Sequence, residues 1–253
     1  MSTAITRDVA STLGDCQLEF LERRPIDILK AMEQHRRYQQ CLREAGAIVL
    51  TLPADPQFPD GVFVEDPAIV LDQIAIITRM GAPSRRGESL SIAEALAPFR
   101  ELAWIAEPAT LEGGDVMRVG KTLFVGRSRR SNAQGIEQLA AIVEPFDYRV
   151  VPLEVTGCLH LKSACSPLDD SAILANRDWL QAGAFDGFRV LDVPPEEPSA
   201  ANVLRIGATV LNAASFPGTA EMLTRSGFAV RIIDISELQK AESALTCSSL
   251  IFD

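Results

Sequence analysis

The sequence predicts an α/β fold built from repeated β–β–α–β modules. Strand-like segments occur in pairs that alternate with single helical segments, at about one such unit per fifty residues. Hydrophobic residues make up 47% of the 253 residues and charged residues 23%, as in an ordinary globular protein with a sizeable core. No long linker interrupts the pattern, because the Pro/Glu-rich stretch at 193–202 is short enough for a surface loop. We therefore expect residues 1–253 to form a single domain.

The elements of the first third are clearly marked. A helix is predicted after Pro25, a residue that suits the first helical turn. Apolar residues then recur with helical spacing up to Ala45, and Gly46 suits the C-terminal cap. The pattern also indicates buried strands at 47–52 and 73–78 and a second helix at 88–99.

The stretch FPDGVFVEDPAIVL, at 58–71, interrupts this regular pattern. Most of it is strand-like, but two adjacent carboxylates, Glu65 and Asp66, break the apolar run just ahead of Pro67. An ionised carboxylate is costly to bury without a partner. The two acids therefore lie either in a solvated turn between two strands or against a positively charged group.

The rest of the chain predicts a hairpin, further strands and two more helices. DVMRVG and KTLFVG form the hairpin around a Gly-Lys turn. The helix that follows, at 131–146, has Ser131 or Asn132 placed to cap it, and a last helix is predicted in PGTAEMLTRSG. Further strands are predicted in YRVVPLEV, LHLKSA, DSAILA, NVLRIG, ATVLNA, FAVRIIDI and the terminal CSSLIF.

Charge and cysteine usage limit the classes of function. The formal net charge of −10 argues against nucleic acid as a partner, and fits either a small cationic ligand or simple solubility. The first residues lack the basic and apolar stretches of a signal peptide, and no apolar run is long enough for a membrane helix. We therefore expect a cytoplasmic protein with free thiols, without a disulfide framework or a structural metal site. The cysteines are Cys16, Cys41, Cys158, Cys165 and Cys247.

Two histidines are available for general acid–base chemistry. His35 lies in a charged helical stretch and is interpreted as a solvated surface residue. His160 lies in GCLHLKSA, within an apolar strand pattern, and is the obvious candidate if an imidazole transfers protons in this protein. Taken alone, however, a strand histidine is more often a structural residue.

Cys247 is the candidate nucleophile. It lies at the start of the predicted final strand, a position where cysteine is usually a small buried hydrophobe. Its polar neighbours Thr246, Ser248 and Ser249 are unusual for a core position. A nucleophilic cysteine needs a histidine close in space, and sequence spacing alone leaves open whether His160 is that partner.

Acidic residues cluster at two points of the sequence. Asp60, Glu65 and Asp66 lie in one stretch, and Glu112 and Asp115 lie in LEGGD. These are either two ordinary polar turns or a carboxylate cage, in which two carboxylates grip the planar N–H fork of a guanidinium.

Basic residues also cluster where loops are expected. Arg85 and Arg86 lie in APSRRGE, and Arg127, Arg129 and Arg130 lie in GRSRRSN. Such clusters are usually solvated faces. Beside an acidic cage, however, they could hold the carboxylate end of an amino acid.

Taken together, these stretches resemble the dimethylarginine dimethylaminohydrolase family of the guanidine-modifying amidinotransferase, or pentein, superfamily. The resemblance spans nearly the whole chain and implies a five-bladed, pseudosymmetric β/α propeller (pentein) with the active site on its central axis. The matching motifs are FPDGVFVEDP, ITRMGAPSRRGE, LEGGD, GRSRRSN, LHLKSAC, AAN and LTCSSLIF.

The resemblance implies hydrolysis of Nω-methylated arginine to citrulline and a methylamine, without a cofactor. Cys247 would be the nucleophile that forms a covalent thiouronium, His160 the general acid–base, and Glu112 a carboxylate that holds the guanidinium. Because carboxylates disfavour a nearby thiolate and a bound guanidinium favours it, we expect Cys247 to be mostly a thiol in the free enzyme.

The family also implies how the substrate is held. Asp66 would grip the guanidinium together with Glu112, two arginines would bind the α-carboxylate, and two main-chain positions would lie near the α-amino end. The implied substrate-binding residues are Leu18, Asp60, Glu65, Asp66, Arg85, Arg130 and Ala241.

Two departures from the family pattern bear on substrate choice. Ser243 and Ala244 stand where family members commonly have glycine, which would strain a loop that needs positive φ. Cys16 and the FLERR segment beside Leu18 fall in the region of a mobile lid, whose length or closure is expected to differ here.

Other functions remain open from the sequence. One is a hydrolase or amidinotransferase of the same superfamily that acts on another guanidine, such as arginine. Another is a non-catalytic binding protein on the same scaffold, although this chain keeps the whole set of cysteine, histidine and acids. As partners we expect a small cationic guanidine substrate and a second copy of the chain in a homodimer, with no nucleic acid and no membrane.

Overall fold

The computed structural model describes residues 2–253, and within them fifteen strands form five three-stranded mixed sheets. In each sheet an antiparallel pair is extended by a parallel third strand. The strands are β1 Thr3–Arg7, β2 Ile48–Leu52, β3 Ala68–Val70, β4 Ile74–Ile77, β5 Glu101–Trp104, β6 Val116–Val119, β7 Thr122–Arg127, β8 Arg149–Glu154, β9 Cys165–Pro167, β10 Ala172–Ala175, β11 Arg189–Asp192, β12 Leu204–Ile206, β13 Thr209–Ala213, β14 Ala229–Ile233 and β15 Leu250–Phe252.

Helices connect the parallel strands in four of the five modules. The helices are α1 Ile28–Glu44, α2 Glu88–Leu96, α3 Ala133–Val143, α4 Leu161–Ala164, α5 Pro217–Arg225 and α6 Ser236–Gln239. In four modules α1, α2, α3 or α5 joins the second strand to the third, as the β–β–α–β pattern predicts. The module β9–β11 has a 3-10 turn at Arg177–Trp179 and an irregular loop in place of that helix.

The two ends of the chain meet in one sheet. Strand β15 pairs antiparallel with β1, with Leu250 opposite Ile5, and β1 pairs parallel with β2, with Ile5 opposite Leu50. The C-terminal strand therefore supplies the first strand of the N-terminal module and closes the ring. The first strands of the modules (β15, β3, β6, β9 and β12) line a central cavity of about 530 Å³. The predicted five-bladed propeller is confirmed.

Apolar residues pack between the sheets and their helices, and neighbouring modules share this core. Ile5 and Leu250 of the closing sheet pack in one cluster with Ile77 of β4 and Leu96 of α2. The apolar core therefore forms a ring between the modules.

Helix α1 illustrates how local signals set the boundaries. The Asp27 carboxylate accepts the Lys30 N–H at 3.0 Å, so the helix begins at Ile28, two residues later than its apolar pattern suggests. After Glu44, Gly46 adopts φ +93° and ends the helix, as predicted. No helix among residues 2–253 is long and apolar enough to cross a bilayer.

His35 lies on the buried face of α1, so its interpretation as a surface residue is wrong. Ala31, Tyr38 and Leu42 are buried at helical spacing from it, and the His35 side chain is 1% exposed. Its ring stacks on Tyr38 with 6.0 Å between centroids, and neither ring nitrogen has a hydrogen-bond partner among the described residues. The charged neighbours in sequence occupy the opposite face of the helix.

Three strand predictions are also wrong. Residues 62–64 lie in successive turns, and strand β3 begins only at Ala68, after the two acids and Pro67. LHLKSA forms a loop and the single-turn helix α4. The final strand begins at Leu250, so Cys247 lies in a 3-10 turn ahead of it. In all three cases buried loops carry the apolar residues that a pattern of burial alone assigns to strands.

Candidate active site

The candidate site residues occupy equivalent positions in the five modules. Each lies in the loop immediately before the first strand of its module: Asp66 before β3, Glu112 before β6, His160 before β9, Asn202 before β12 and Cys247 before β15. Because these strands surround the axis, their preceding loops converge at one end of it. The motif AAN contains Asn202, but sequence reasoning assigned this residue no role.

A small enclosed cavity of about 20 Å³ lies at this convergence, and Gln17, Phe63, Leu159, Ser163, Glu242 and Ser243 also line it. We assign this cavity as the candidate active site because the candidate nucleophile, Cys247, and the candidate acid–base residue, His160, both line it. Leu18, Glu65 and Glu112 do not line it directly. The predicted site residues that do are Asp60, Asp66, Arg85, Arg130, His160, Ala241 and Cys247.

Cys247 is held by main-chain contacts on both sides. Its Sγ accepts the Ala244 N–H at 3.4 Å, and its carbonyl accepts the Glu65 N–H at 3.1 Å. Burial, together with the carboxylates of Glu65 and Asp66, raises the pKa of the Cys247 thiol to about 12. The thiol form therefore dominates at neutral pH in the free protein.

His160 and Glu112 form a buried pair. His160 Nε2 lies 2.8 Å from Glu112 Oε2, and both side chains are almost completely enclosed. Although burial opposes the charged form, the carboxylates of Asp66, Asp115 and Glu112 raise the pKa of His160 to about 9. Burial also opposes the charged form of Glu112 and would raise its pKa, but His160 and two arginines hold the pKa of Glu112 well below its usual range. At neutral pH the pair is therefore an imidazolium and a carboxylate.

Asp115 fixes the loops that carry this pair. Its Oδ2 accepts the hydroxyls of Ser128 and Ser131 at 2.6 Å each, and its Oδ1 accepts the Leu161 N–H at 2.9 Å. Ser131 Oγ in turn accepts the Glu112 N–H at 3.1 Å. Asp115 thus joins the Glu112 loop to the His160 loop from behind, rather than facing a substrate as part of a carboxylate cage.

The two glycines of LEGGD are required because neighbouring loops approach their main chain closely. A Cβ on Gly113 would lie 2.0 Å from the Glu65 carbonyl oxygen, and a Cβ on Gly114 would lie 2.6 Å from His160 Nδ1. The loops of Glu65, Asp66 and His160 can therefore pack against this turn only because it has no side chains.

Arg85 is engaged mainly with protein carboxylates. Its Nη1 donates to Asp66 Oδ2 at 2.8 Å, while Nε and Nη2 grip Glu88 in a bidentate contact at 3.0 and 2.9 Å. Nη2 also donates to the Phe63 carbonyl at 3.4 Å. Among residues 2–253, one N–H of Nη1 is left without a partner. The structure therefore leaves Arg85 little capacity for the substrate carboxylate, and that role stays a prediction.

Glu65 lies between this site and the central cavity. Its Oε1 contacts Lys162 Nζ at 2.5 Å, and its Oε2 accepts the Thr246 hydroxyl at 2.8 Å. Asn202 holds the same Thr246 through its side-chain amide at 2.9 Å. The two acids that interrupt the apolar run are thus buried against cations, Lys162 for Glu65 and Arg85 for Asp66, and the solvated-turn alternative is excluded.

The segment around Leu18 covers the site. Gln17 N donates to Asp60, and the N–H groups of residues 19–21 donate to the carboxylate of Glu242. Glu19 Oε1 accepts Arg130 Nε at 2.6 Å, while Arg130 Nη1 reaches Glu112 at 3.4 Å. Leu18 packs on the neighbouring apolar core, and the Ala241 N–H is used within its own turn.

The strained position of the loop before Cys247 is Glu242, which has φ +56°. Ser243 and Ala244 are not among the described residues with positive φ, so the strain expected for them is absent. The Ser243 hydroxyl instead lies close enough to Cys247 to favour its thiolate slightly.

Asp66, Glu112 and His160 have potential ligand atoms within 4.8 Å of one another. A metal ion binds neutral imidazole, whereas the raised pKa of His160 favours the imidazolium. With His160 protonated, the group suits proton transfer.

Comparisons with known proteins identify the family. Residues 14–163 match the family model described as N,N dimethylarginine dimethylhydrolase, eukaryotic. Two bacterial N(G),N(G)-dimethylarginine dimethylaminohydrolases are similar. The one from Streptomyces coelicolor is 39% identical over 248 residues, covering 98% of this chain and 95% of its own. The one from Pseudomonas aeruginosa is 37% identical over 228 residues, covering 89% and 90%.

The structural comparison extends over the whole chain. A solved structure of the Pseudomonas aeruginosa enzyme, a cysteine-to-serine mutant complexed with citrulline, superimposes with a TM-score of 0.95 at 36% identity. It covers 99% of this chain and 98% of that one. The site residues converge on a five-module ring that both proteins share, and the chain belongs to the dimethylarginine dimethylaminohydrolase family.

Proposed function

We propose that this protein hydrolyses Nω-methylated arginines, asymmetric dimethylarginine and monomethylarginine, to citrulline and a methylamine. The observation that carries the proposal is the convergence of the Cys247 thiol, the His160–Glu112 pair and the Asp66 carboxylate on one enclosed cavity. The relatives named for this activity, and the citrulline bound to one of them, support the same reaction.

The cavity is suited to a guanidinium. Asp66 lines it, whereas Glu112 lies behind His160 and does not line it, and both carboxylates are already oriented by hydrogen bonds, to Gly114 N at 3.1 Å and Gly81 N at 2.9 Å. The oriented Asp66 carboxylate can accept from the flat N–H fork and help to fix its carbon for attack. The positive charge of the bound guanidinium offsets the acids that raise the pKa of the Cys247 thiol, so the thiol proton passes to solvent when the substrate binds.

In the first half-reaction the Cys247 thiolate attacks the guanidinium carbon and forms a C–S bond. His160, protonated because of its raised pKa, donates a proton to the substituted nitrogen. The C–N bond then breaks, the methylamine leaves, and a thiouronium remains on Cys247.

In the second half-reaction the now neutral His160 accepts a proton from water. The resulting hydroxide adds to the thiouronium carbon, and the C–S bond breaks while the added hydroxyl gives its remaining proton to the departing Cys247 sulfur. Neutral citrulline and the Cys247 thiol are released, and His160 is again protonated. Glu112 holds the imidazole in place throughout, since their 2.8 Å contact persists whichever group carries the proton. No step needs a redox partner.

Citrulline formation tests the proposal. The purified protein is incubated separately with asymmetric dimethylarginine, monomethylarginine and arginine, and Cys247→Ser serves as the control. We expect citrulline from the methylated substrates, none from the control, and a mass increase on Cys247 when the reaction is quenched in acid. Citrulline from arginine alone would keep the chemistry and overturn the substrate assignment. No citrulline from any of the three would overturn the proposal.

A further inference from the structure

The ion pair between Glu19 and Arg130 is only half satisfied on each side. Arg130 uses Nε for Glu19 and Nη1 for Glu112, and its Nη2 has no partner among residues 2–253. Glu19 uses Oε1 for Arg130, and its Oε2 has no partner in the same range. The pair therefore presents an unused donor edge beside an unused acceptor, and Arg130 lines the reacting cavity.

This arrangement complements the head of an amino acid. A zwitterionic head carries a carboxylate and an ammonium on one carbon atom, so it needs a donor and an acceptor close together. Arg130 Nη2 can receive the carboxylate without giving up its contact with Glu19, and Glu19 Oε2 can then receive the ammonium. The Arg130 side chain is 4% exposed, so the carboxylate contact forms where water is largely excluded, whereas the Glu19 side chain is 22% exposed, so the ammonium contact lies at the edge of the site.

Glu19 is carried by a segment that closes over the site. The N–H groups of Glu19, Phe20 and Leu21 all donate to the carboxylate of Glu242, on the loop that leads to Cys247. These bonds hold the Glu19 main chain against the nucleophile loop.

We infer that Glu19 is a specificity-determining residue whose second carboxylate oxygen binds the α-ammonium of the substrate, beside Arg130, for which the family implies the α-carboxylate. The inference rests on the proposed function and deepens it, because it assigns a side chain of this protein to the amino-acid head of the proposed substrates. Glu19 does not touch the reacting carbon, so its effect falls on substrate binding rather than on the chemical step.

The test compares two substrates that differ in one group. One is asymmetric dimethylarginine, and the other is its analogue with hydrogen in place of the α-ammonium. Steady-state kinetics are measured for the wild type, for Glu19→Gln and for Glu22→Gln. Glu22 is a matched control because it lies exposed on the same segment and makes no ion pair within residues 2–253.

We expect Glu19→Gln to raise KM for dimethylarginine about tenfold, with little change in kcat, because a charged hydrogen-bond acceptor is lost. KM for the analogue should stay unchanged in both variants. An equal loss for both substrates would mean that Glu19 only orients Arg130, and a lower KM would mean that it merely competes with the substrate carboxylate. Either result overturns the inference.

Calorimetry separates this failure from failure of the proposed function. Citrulline and its analogue without the α-ammonium are titrated into Cys247→Ser, where no turnover is needed. We expect citrulline to bind more tightly, and Glu19→Gln to remove the difference. If the wild type hydrolyses both methylated substrates with equal KM, the proposed function stands and only the inference fails. If Cys247→Ser binds neither compound and the wild type has no activity, both fail.

Discussion

At the scale of single residues, the ionisation state of Cys247 decides how the enzyme starts its reaction. Burial and two nearby carboxylates raise the pKa of this thiol to about 12, so the free protein keeps it protonated at neutral pH. Enzymes that keep a resting thiolate place it beside a cation instead. Here the cation would be the substrate itself, so the nucleophile is activated only when its target is bound.

This account predicts slow reaction of the free protein with a neutral alkylating agent. At pH 7 iodoacetamide should modify Cys247 much more slowly than it modifies an ordinary exposed thiol, and the thiolate absorbance should rise only far above pH 8. A bound guanidinium that cannot react should shift this titration to lower pH. Cys16 and Cys158 also have raised pKa values and would contribute to the absorbance at high pH. The part of the absorbance that Cys247→Ser lacks therefore belongs to Cys247. A thiolate already dominant at pH 7 without ligand would contradict the prediction.

At the scale of elements, helix α1 contains a buried histidine that has no part in the proposed reaction. Burial lowers the pKa of His35 to about 4, and the ring stays neutral at physiological pH. The unfolded chain protonates this ring below about pH 6.5, so protonation favours unfolding. Stability is therefore full above pH 6.5 and is lost as the pH falls from there towards 4.

Replacing the His35 ring by an apolar side chain should remove its contribution to the pH dependence of the unfolding free energy. At pH 5 the shift from 6.5 to about 4 corresponds to about 2 kcal/mol of lost stability. We therefore expect His35→Leu to resist urea better relative to wild type at pH 5 than at pH 8. Arg36→Gln, on the exposed face of the same helix, should leave the difference between the two pH values unchanged. If the unfolding free energies of His35→Leu and wild type changed in parallel between pH 5 and pH 8, His35 would not be the source of this pH dependence.

The sequence predicts the elements that depend on local signals and fails for those that depend on long-range contacts. Helix α1 and the turn at Gly46 follow from capping and spacing, which are local signals, and both are correct. The apolar pattern predicts strands at 62–64 and around His160, where the structure has turns and a loop, because long-range contacts bury these segments and burial gives the same pattern in loops and strands. Glu88, Lys162 and Asn202 lie in motifs that carry the family resemblance, but nothing in their local sequence assigns them a role. Each contacts the site from a different module, so only the closed ring reveals them.

At the scale of the whole molecule, a polar network across the axis joins the modules where the apolar core does not reach. Lys162 and Glu65 come from modules on different sides of the ring, and Thr246 and Asn202 extend the contact to two more. Both charged side chains are largely enclosed, so each depends on its partner. This network also separates the reacting cavity from the larger central one, and it lies against the main chain of Cys247.

The two ends of this ion pair should therefore be strongly coupled. Lys162→Met leaves the Glu65 carboxylate buried without its cation, and we expect a loss of about 3 kcal/mol in unfolding free energy. Glu65→Gln should cost less, because the amide can still accept from Thr246 and Lys162 can reach the water of the central cavity. The double variant should be more stable than the sum of the two losses predicts, since neither charge is then left unpaired. Urea unfolding of the wild type, the two single variants and the double variant measures this coupling.

The matched control is Arg118→Met, which breaks the partly exposed pair with Asp72 at the rim of the same cavity. It should cost about 1 kcal/mol or less. If the losses from Lys162→Met and Glu65→Gln simply add, the axial pair contributes no more than a surface contact. The ring would then be held together by its shared apolar core alone.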